Sequence, residues 1–121
     1  TLYVHAPDAR LPRGLDIDHV AVPVQGTRFD LAAVLRLLAA RGINEVQLEA
    51  GATLAGAFLD AGLVDELLLY VAPVLLGPRA RPLFDGLHID AMDERLRMRR
   101  IESTVVGEDF RLLLRPEPPA A

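Results

Sequence analysis

Apolar positions along this chain recur in two rhythms, and the changes between them predict the elements. Leu2 to His5 is a short strand, and Pro7 to Gly14 holds the prolines and glycine of a turn region. His19 to Val24 is a second strand, closed near Gln25-Gly26. Leu31, Val34, Leu35 and Leu38 then fall at helical spacing. Asp30 is positioned to cap that helix, Phe29 and Val34 to staple its start, and Gly42 after Arg41 to stop it. Glu45 to Glu49 alternates again, with Val46 and Leu48 on one face and Gln47 and Glu49 on the other.

A second helix is predicted over 53–61 and stopped by Gly62, its Ala55, Gly56 and Ala57 small enough for close packing on a sheet. Glu66 to Ala72 is apolar on both faces, as a central strand would be. Leu75 to Gly86 is a loop rich in Pro, Gly and Arg. Leu96 to Val105 and Phe110 to Arg115 flank a turn at Gly107, with Phe110, Leu112 and Leu114 facing inward. Residues 115–121 are expected to fray. The alternation of strands and helices predicts an α/β fold: a mostly parallel sheet with helices and a closing antiparallel hairpin, in one unit spanning 1–121.

Composition narrows the class. With 121 residues, half of them apolar, the chain has enough material for one core. The longest apolar run, Leu67 to Leu76, is broken by Tyr70 and Pro73 and is too short to span a bilayer. A net charge of −4 with both signs interspersed argues against a nucleic-acid partner. The absence of cysteine excludes disulfides, thiolate chemistry and Cys-based zinc sites, and is compatible with a cytoplasmic setting. Asp8 and Arg10 soon after the start are unlike a signal peptide, and a strand beginning at Thr1 suggests a chain cut from a longer polypeptide.

Candidate chemistry centres on Glu49-Ala-Gly-Ala-Thr53. A glutamate at a strand's carboxyl end can accept hydrogen bonds from a polar substrate. Gly51 permits positive φ and close approach of a ligand to the backbone. The N–H groups at the following helix start suit a pyrophosphate. Thr53 can cap the helix, bond a phosphate, or both. An ordinary strand-to-helix turn with a solvated glutamate fits the same residues, and the loop lacks full GxGxxG spacing. Arg79 and Arg81 can hold a phosphate or be solvated loop charges. Asp65-Glu66 is better read as a solvated turn or a structural ion pair than as an acid/base pair. His5, His19 and His88 have no metal-ligand spacing and are better read as surface or strand-end histidines, although His5 can approach the crevice.

The string from Glu49 to Leu67, with Tyr70-Val-Ala-Pro-Val-Leu-Leu-Gly77 and Ala80-Arg-Pro-Leu-Phe84, resembles the reductase domain of the bacterial riboflavin biosynthesis protein RibD, nearly throughout the chain. The resemblance implies a dihydrofolate-reductase-like fold lacking its N-terminal strands. It implies NADPH-dependent reduction of 5-amino-6-(5-phosphoribosylamino)uracil to the ribitylamino compound, by hydride transfer to C1′ of the opened ribose. It also implies that Glu49 contacts substrate, and that Gly51, Ala52, Thr53, Leu54, Ala55, Gly56 and Ala57 wrap the cofactor phosphates. It identifies no proton donor. Ala52 stands where the family string usually has proline. The zinc deaminase half of the bifunctional enzyme, with its cysteine ligands, is not in this sequence. An isolated portion of such a sheet exposes an apolar edge, so a homodimer is expected. Two alternatives stay open: a fragment that acts as a folding or dimerisation module without turnover, and a same-fold NADPH reductase for another pterin-like or pyrimidine substrate.

Overall fold

The computed structural model describes residues 1–14 and 16–118. Its contacts gather into two compact units, Thr1–Gln47 and Leu48–Ala121. Both are α/β.

In the first unit, β1 (Leu2–His5) and β2 (Asp18–Ala21) pair in parallel, Tyr3 opposite His19 and His5 opposite Ala21. The Val22 N–H donates to the His5 carbonyl at 2.9 Å, and Val22 is the buried apolar residue among this unit's described residues. The second strand ends sooner than its sequence suggests. Val24 belongs to a small antiparallel hairpin of β3 (Val24–Gln25) and β4 (Arg28–Phe29). Gly26 takes φ +63°, as the first residue of a type II′ loop must.

Helix α1 (Leu31–Ala40) starts and stops as its sequence dictates. The Asp30 carboxylate accepts from the Ala33 N–H at 2.8 Å. At the other end Gly42 sits at φ +79°, its N–H donates to the Ala39 carbonyl, and the Ile43 N–H donates to the Leu38 carbonyl. That pair of bonds is a Schellman ending. Arg41 reaches Asp18. The donated hydrogen bond, more than the added Coulomb attraction, holds the Asp18 carboxyl below its ordinary value.

In the second unit, α2 (Ala52–Asp60) repeats the Schellman ending around Gly62, at φ +64°. There the Gly62 N–H bonds the Leu59 carbonyl and the Leu63 N–H the Phe58 carbonyl. Phe58 and Leu59 are its buried apolar side chains. The sheet is antiparallel, in the order β5 (Leu67–Val71), β7 (Asp109–Pro116), β6 (Met98–Val106). A two-residue turn with Gly107 at φ +65° joins β6 to β7.

Several expectations need correction. Among the described residues only β1 and β2 pair in parallel, so the sheet is not mostly parallel. Residues 45–49 form no ladder, and Val46 and Leu48 stay exposed. Alternation favours a strand but does not supply its neighbour. Leu67–Val71 is an edge strand of this sheet; β7 is central, bonded on both sides. Phe110 does share a face with Leu112 and Leu114. Those leucines are half-buried, whereas Phe110 lies at the sheet's end and stays 53% exposed. A bulge between Arg100 and Glu102 shifts the register of β6. β7 runs through Pro116, inside the segment expected to fray; Pro119–Ala121 lie outside the described residues.

The Arg41–Asp18 pair carries a pH signature. Because the folded carboxyl ionises at lower pH than the unfolded one, its stabilisation is fully present above the unfolded pKa, about 3.9. It is lost as pH falls through the lower native value. Asp18→Asn is therefore expected to be less stable than the wild type near neutral pH, with the gap closing on acidification to about pH 2. Urea unfolding across that range checks it, and a pH-independent gap contradicts it.

Candidate functional site

The second unit holds a cleft of about 510 Å³, lined by Ala50, Gly51, Ala52, Thr53, Leu54, Arg81, Pro82 and Asp85. One wall is the first turn of α2. Its N-cap is Gly51, which has no side chain to bond the orphan donors. The Ala55 N–H is the first to find its helical acceptor, the Gly51 carbonyl, at 3.1 Å. The N–H groups of Ala52, Thr53 and Leu54 precede it and have no intrahelical acceptor. They bring the partial positive charge of the helix start to the cleft.

Thr53 occupies the second helical position and is not the cap, so its exposed hydroxyl is available to a ligand. Gly51 has φ −72° and ψ 169°, an extended conformation open to any residue. The glycine is thus not required for a left-handed turn. A Cβ built there meets nothing within 4 Å, so the space before the helix is open.

The other wall is the loop after β5. It returns to α2 and is held by a hydrogen bond from the Asp85 N–H to the Ala52 carbonyl, at 3.1 Å. Farther along, the Asp60 carboxylate faces His88 Nδ1 at 3.3 Å and its backbone N–H at 3.5 Å. From this loop Arg81, Pro82 and Asp85 line the cleft, bringing one basic and one acidic residue to it. The combination of uncapped N–H groups, a guanidinium and a hydroxyl fits a phosphate or pyrophosphate.

The sequence-derived candidates divide. Gly51, Ala52, Thr53 and Leu54 line the cleft together with Arg81; Ala55, Gly56 and Ala57 do not. Gly56 is buried, and its small size serves the Asp85 backbone of the loop instead of a sheet. The lining begins at Ala50, one residue after Glu49. Arg79 is not in the lining. Pro82 and Asp85 were not expected there, because nothing local announces that their loop folds back on α2. The one available hint was a glycine in mid-helix.

The carboxylate pair resolves as a structural contact. Glu66 accepts from Arg115 Nε at 2.9 Å and Nη2 at 2.6 Å, across the β5–β7 pair. Nearby on the sheet, a hydrogen bond from the Thr104 hydroxyl and the charge of Arg111 hold the Glu102 carboxyl below its ordinary value. His5 ends β1, as expected of a strand-end histidine, but it is buried there, with Nδ1 2.8 Å from the Ala6 carbonyl and Nε2 3.3 Å from His19 Nδ1. Among the described residues no group of three or more His, Cys, Asp or Glu is placed to hold a metal. None of their helices is long and apolar enough to cross a membrane.

A helix start without a side-chain cap and a loop arginine lining one cleft have the chemistry to hold a phosphorylated ligand. The model of the RibD C-terminal domain family matches residues 8–112, and the chain belongs to that family. It is 43% identical over 91 residues to a 2,5-diamino-6-ribosylamino-4(3H)-pyrimidinone 5′-phosphate reductase of Methanothermobacter thermautotrophicus, covering 74% of this chain and 42% of that protein. It is 34% identical over 90 residues to a 5-amino-6-(5-phosphoribosylamino)uracil reductase of Buchnera aphidicola, covering 74% and 44%. Among solved structures, a RibD of Acinetobacter baumannii superposes with a TM-score of 0.74 at 34% identity, covering 84% of this chain and 27% of that one. The chain thus spans less than half the length of these relatives.

Ala52 is the first helical residue, where proline is most favourable, and Gly51 before it already has the extended backbone that a following proline demands. Ala52→Pro is expected to raise unfolding stability by about 0.4–1 kcal/mol. Urea denaturation measures this; a loss of stability would show that the turn is not preorganised as described.

Proposed function

We propose that this chain is the cofactor-phosphate-holding portion of a cytoplasmic, dihydrofolate-reductase-like enzyme. The enzyme uses NADPH to reduce 5-amino-6-(5-phosphoribosylamino)uracil to its ribitylamino product. The observation that carries the reading is the uncapped first turn of α2 facing Arg81 across an open cleft, in a chain of the RibD C-terminal domain family. The names of the Methanothermobacter and Buchnera relatives supply the reaction class and the phosphoribosylamino-pyrimidine substrate.

The residues present fit the cofactor's pyrophosphate. The N–H groups of Ala52, Thr53 and Leu54 donate to its oxygens, the Thr53 hydroxyl adds a donor, and Arg81 supplies full charge. Asp85 places a negative charge beside these donors and restricts where the phosphates can sit. When bound, the nicotinamide supplies the hydride. What the chain contributes is position, because a fixed pyrophosphate fixes the reach of the rest of the dinucleotide. Glu49, one residue before the cleft lining, is the proposed substrate contact.

Calorimetric titration with NADPH, and with NADH as control, tests the reading. Micromolar binding selective for NADPH is expected. Arg81→Gln is expected to weaken it by roughly ten- to a hundredfold, the loss of one hydrogen bond to a charged group. Failure of the whole protein containing this chain to oxidise NADPH with the ribosylaminouracil phosphate would overturn the reaction.

The same reading includes a homodimer. Val71, Phe110 and Val105 form an apolar row across the sheet, paired strand to strand and 46%, 53% and 62% exposed. A second copy covering that row is the proposed partner. Sedimentation equilibrium is expected to show a dimer that Phe110→Glu dissociates, and a strictly monomeric wild type at high concentration would refute it.

A further inference from the structure

Gly56 lies in the middle of α2, where a glycine costs about 1 kcal/mol relative to alanine. Its backbone is helical, so no unusual dihedral requires it. Space does. A Cβ built on Gly56 comes to 2.0 Å from the Asp85 carbonyl oxygen, and to 3.0 Å from both the Asp85 carbonyl carbon and its N–H nitrogen. All three atoms are backbone, so no side chain can rotate away. One turn earlier on the helix, the Ala52 carbonyl accepts from the Asp85 N–H. The Asp85 peptide is therefore bonded at one point and seated at another. The Asp60–His88 contacts tie the same strap toward the helix C-terminus.

Arg81 is four residues before Asp85, with Pro82 stiffening the path between them. We propose that Gly56 is a positioning residue: by admitting the Asp85 backbone against α2 it seats the 82–88 strap, and the seated strap presents the Arg81 guanidinium to the phosphate cleft. This rests on the cofactor-phosphate reading above and gives Gly56 a different part in it. The glycine touches no phosphate; it decides where the arginine stands.

The test is a double-mutant cycle on pyrophosphate binding, read by calorimetry at fixed ionic strength. Gly56→Ala is expected to weaken inorganic pyrophosphate about tenfold in the wild-type background, and less than about twofold in the Arg81→Gln background. Exchange of the Asp85 amide hydrogen is expected to speed up in Gly56→Ala, since its bond to Ala52 is broken. A merely structural glycine would weaken binding equally in both backgrounds, and that result overturns the inference while leaving the functional reading intact. Unchanged Asp85 exchange also overturns it. No pyrophosphate binding by the wild type would sink the functional reading itself, and the inference with it.

Should Gly56→Ala not fold, Asp60→Ala takes its place in the cycle. It frees the other end of the strap without adding volume, and it removes a carboxylate from a helix C-terminus, where negative charge is unfavourable. A loss of about threefold confined to the Arg81-containing background supports the inference. Equal effects in both backgrounds, or no effect in either, contradict it.

Discussion

The hydrogen bond from the Asp85 N–H to the Ala52 carbonyl is the contact on which the site depends. It joins residues more than thirty positions apart and turns a helix end into one wall of a cleft. Without the returning loop, the first turn of α2 would be a solvated helix start with weak, unselective attraction for anions. With it, a basic residue, Arg81, and an acidic one, Asp85, line the same cleft as the first turn of the helix.

The second unit shows how charge and packing divide the labour. The antiparallel sheet places Phe110, Leu112 and Leu114 on one face, while ion pairs from Arg111 to Glu102 and from Arg115 to Glu66 decorate the other. These pairs are well exposed, so they contribute little to stability and more to register. Stability comes instead from burying apolar surface, and among the described residues the buried apolar side chains are few: Val22, Phe58 and Leu59.

Elements whose cause lies within a few residues were legible in advance. Asp30 caps its helix because a carboxylate there reaches the N–H three residues on, whatever the rest of the chain does. Gly42, Gly62 and Gly107 mark turns because each sits at positive φ, where a Cβ is penalised. The second helix starts at Ala52, one residue before its expected start at Thr53, with Gly51 in an extended conformation at its cap, and four of the seven residues expected to hold the cofactor phosphates line the cleft. Residues 45–49 have a strand's alternation yet no ladder, since pairing requires a partner that the segment's own sequence does not name.

By itself, then, the sequence determined the caps, the turns, the helix faces and the anion-attracting turn, because these follow from short-range sterics and local hydrogen bonding. Only the tertiary structure decided that β7 and not β5 is the central strand, that His5 is buried against His19, and that Gly56 serves a loop backbone. It alone brought Arg81 and Asp85 to the start of α2. Those outcomes are set by contacts between distant segments, where packing of one backbone against another selects among arrangements that local chemistry leaves equally open.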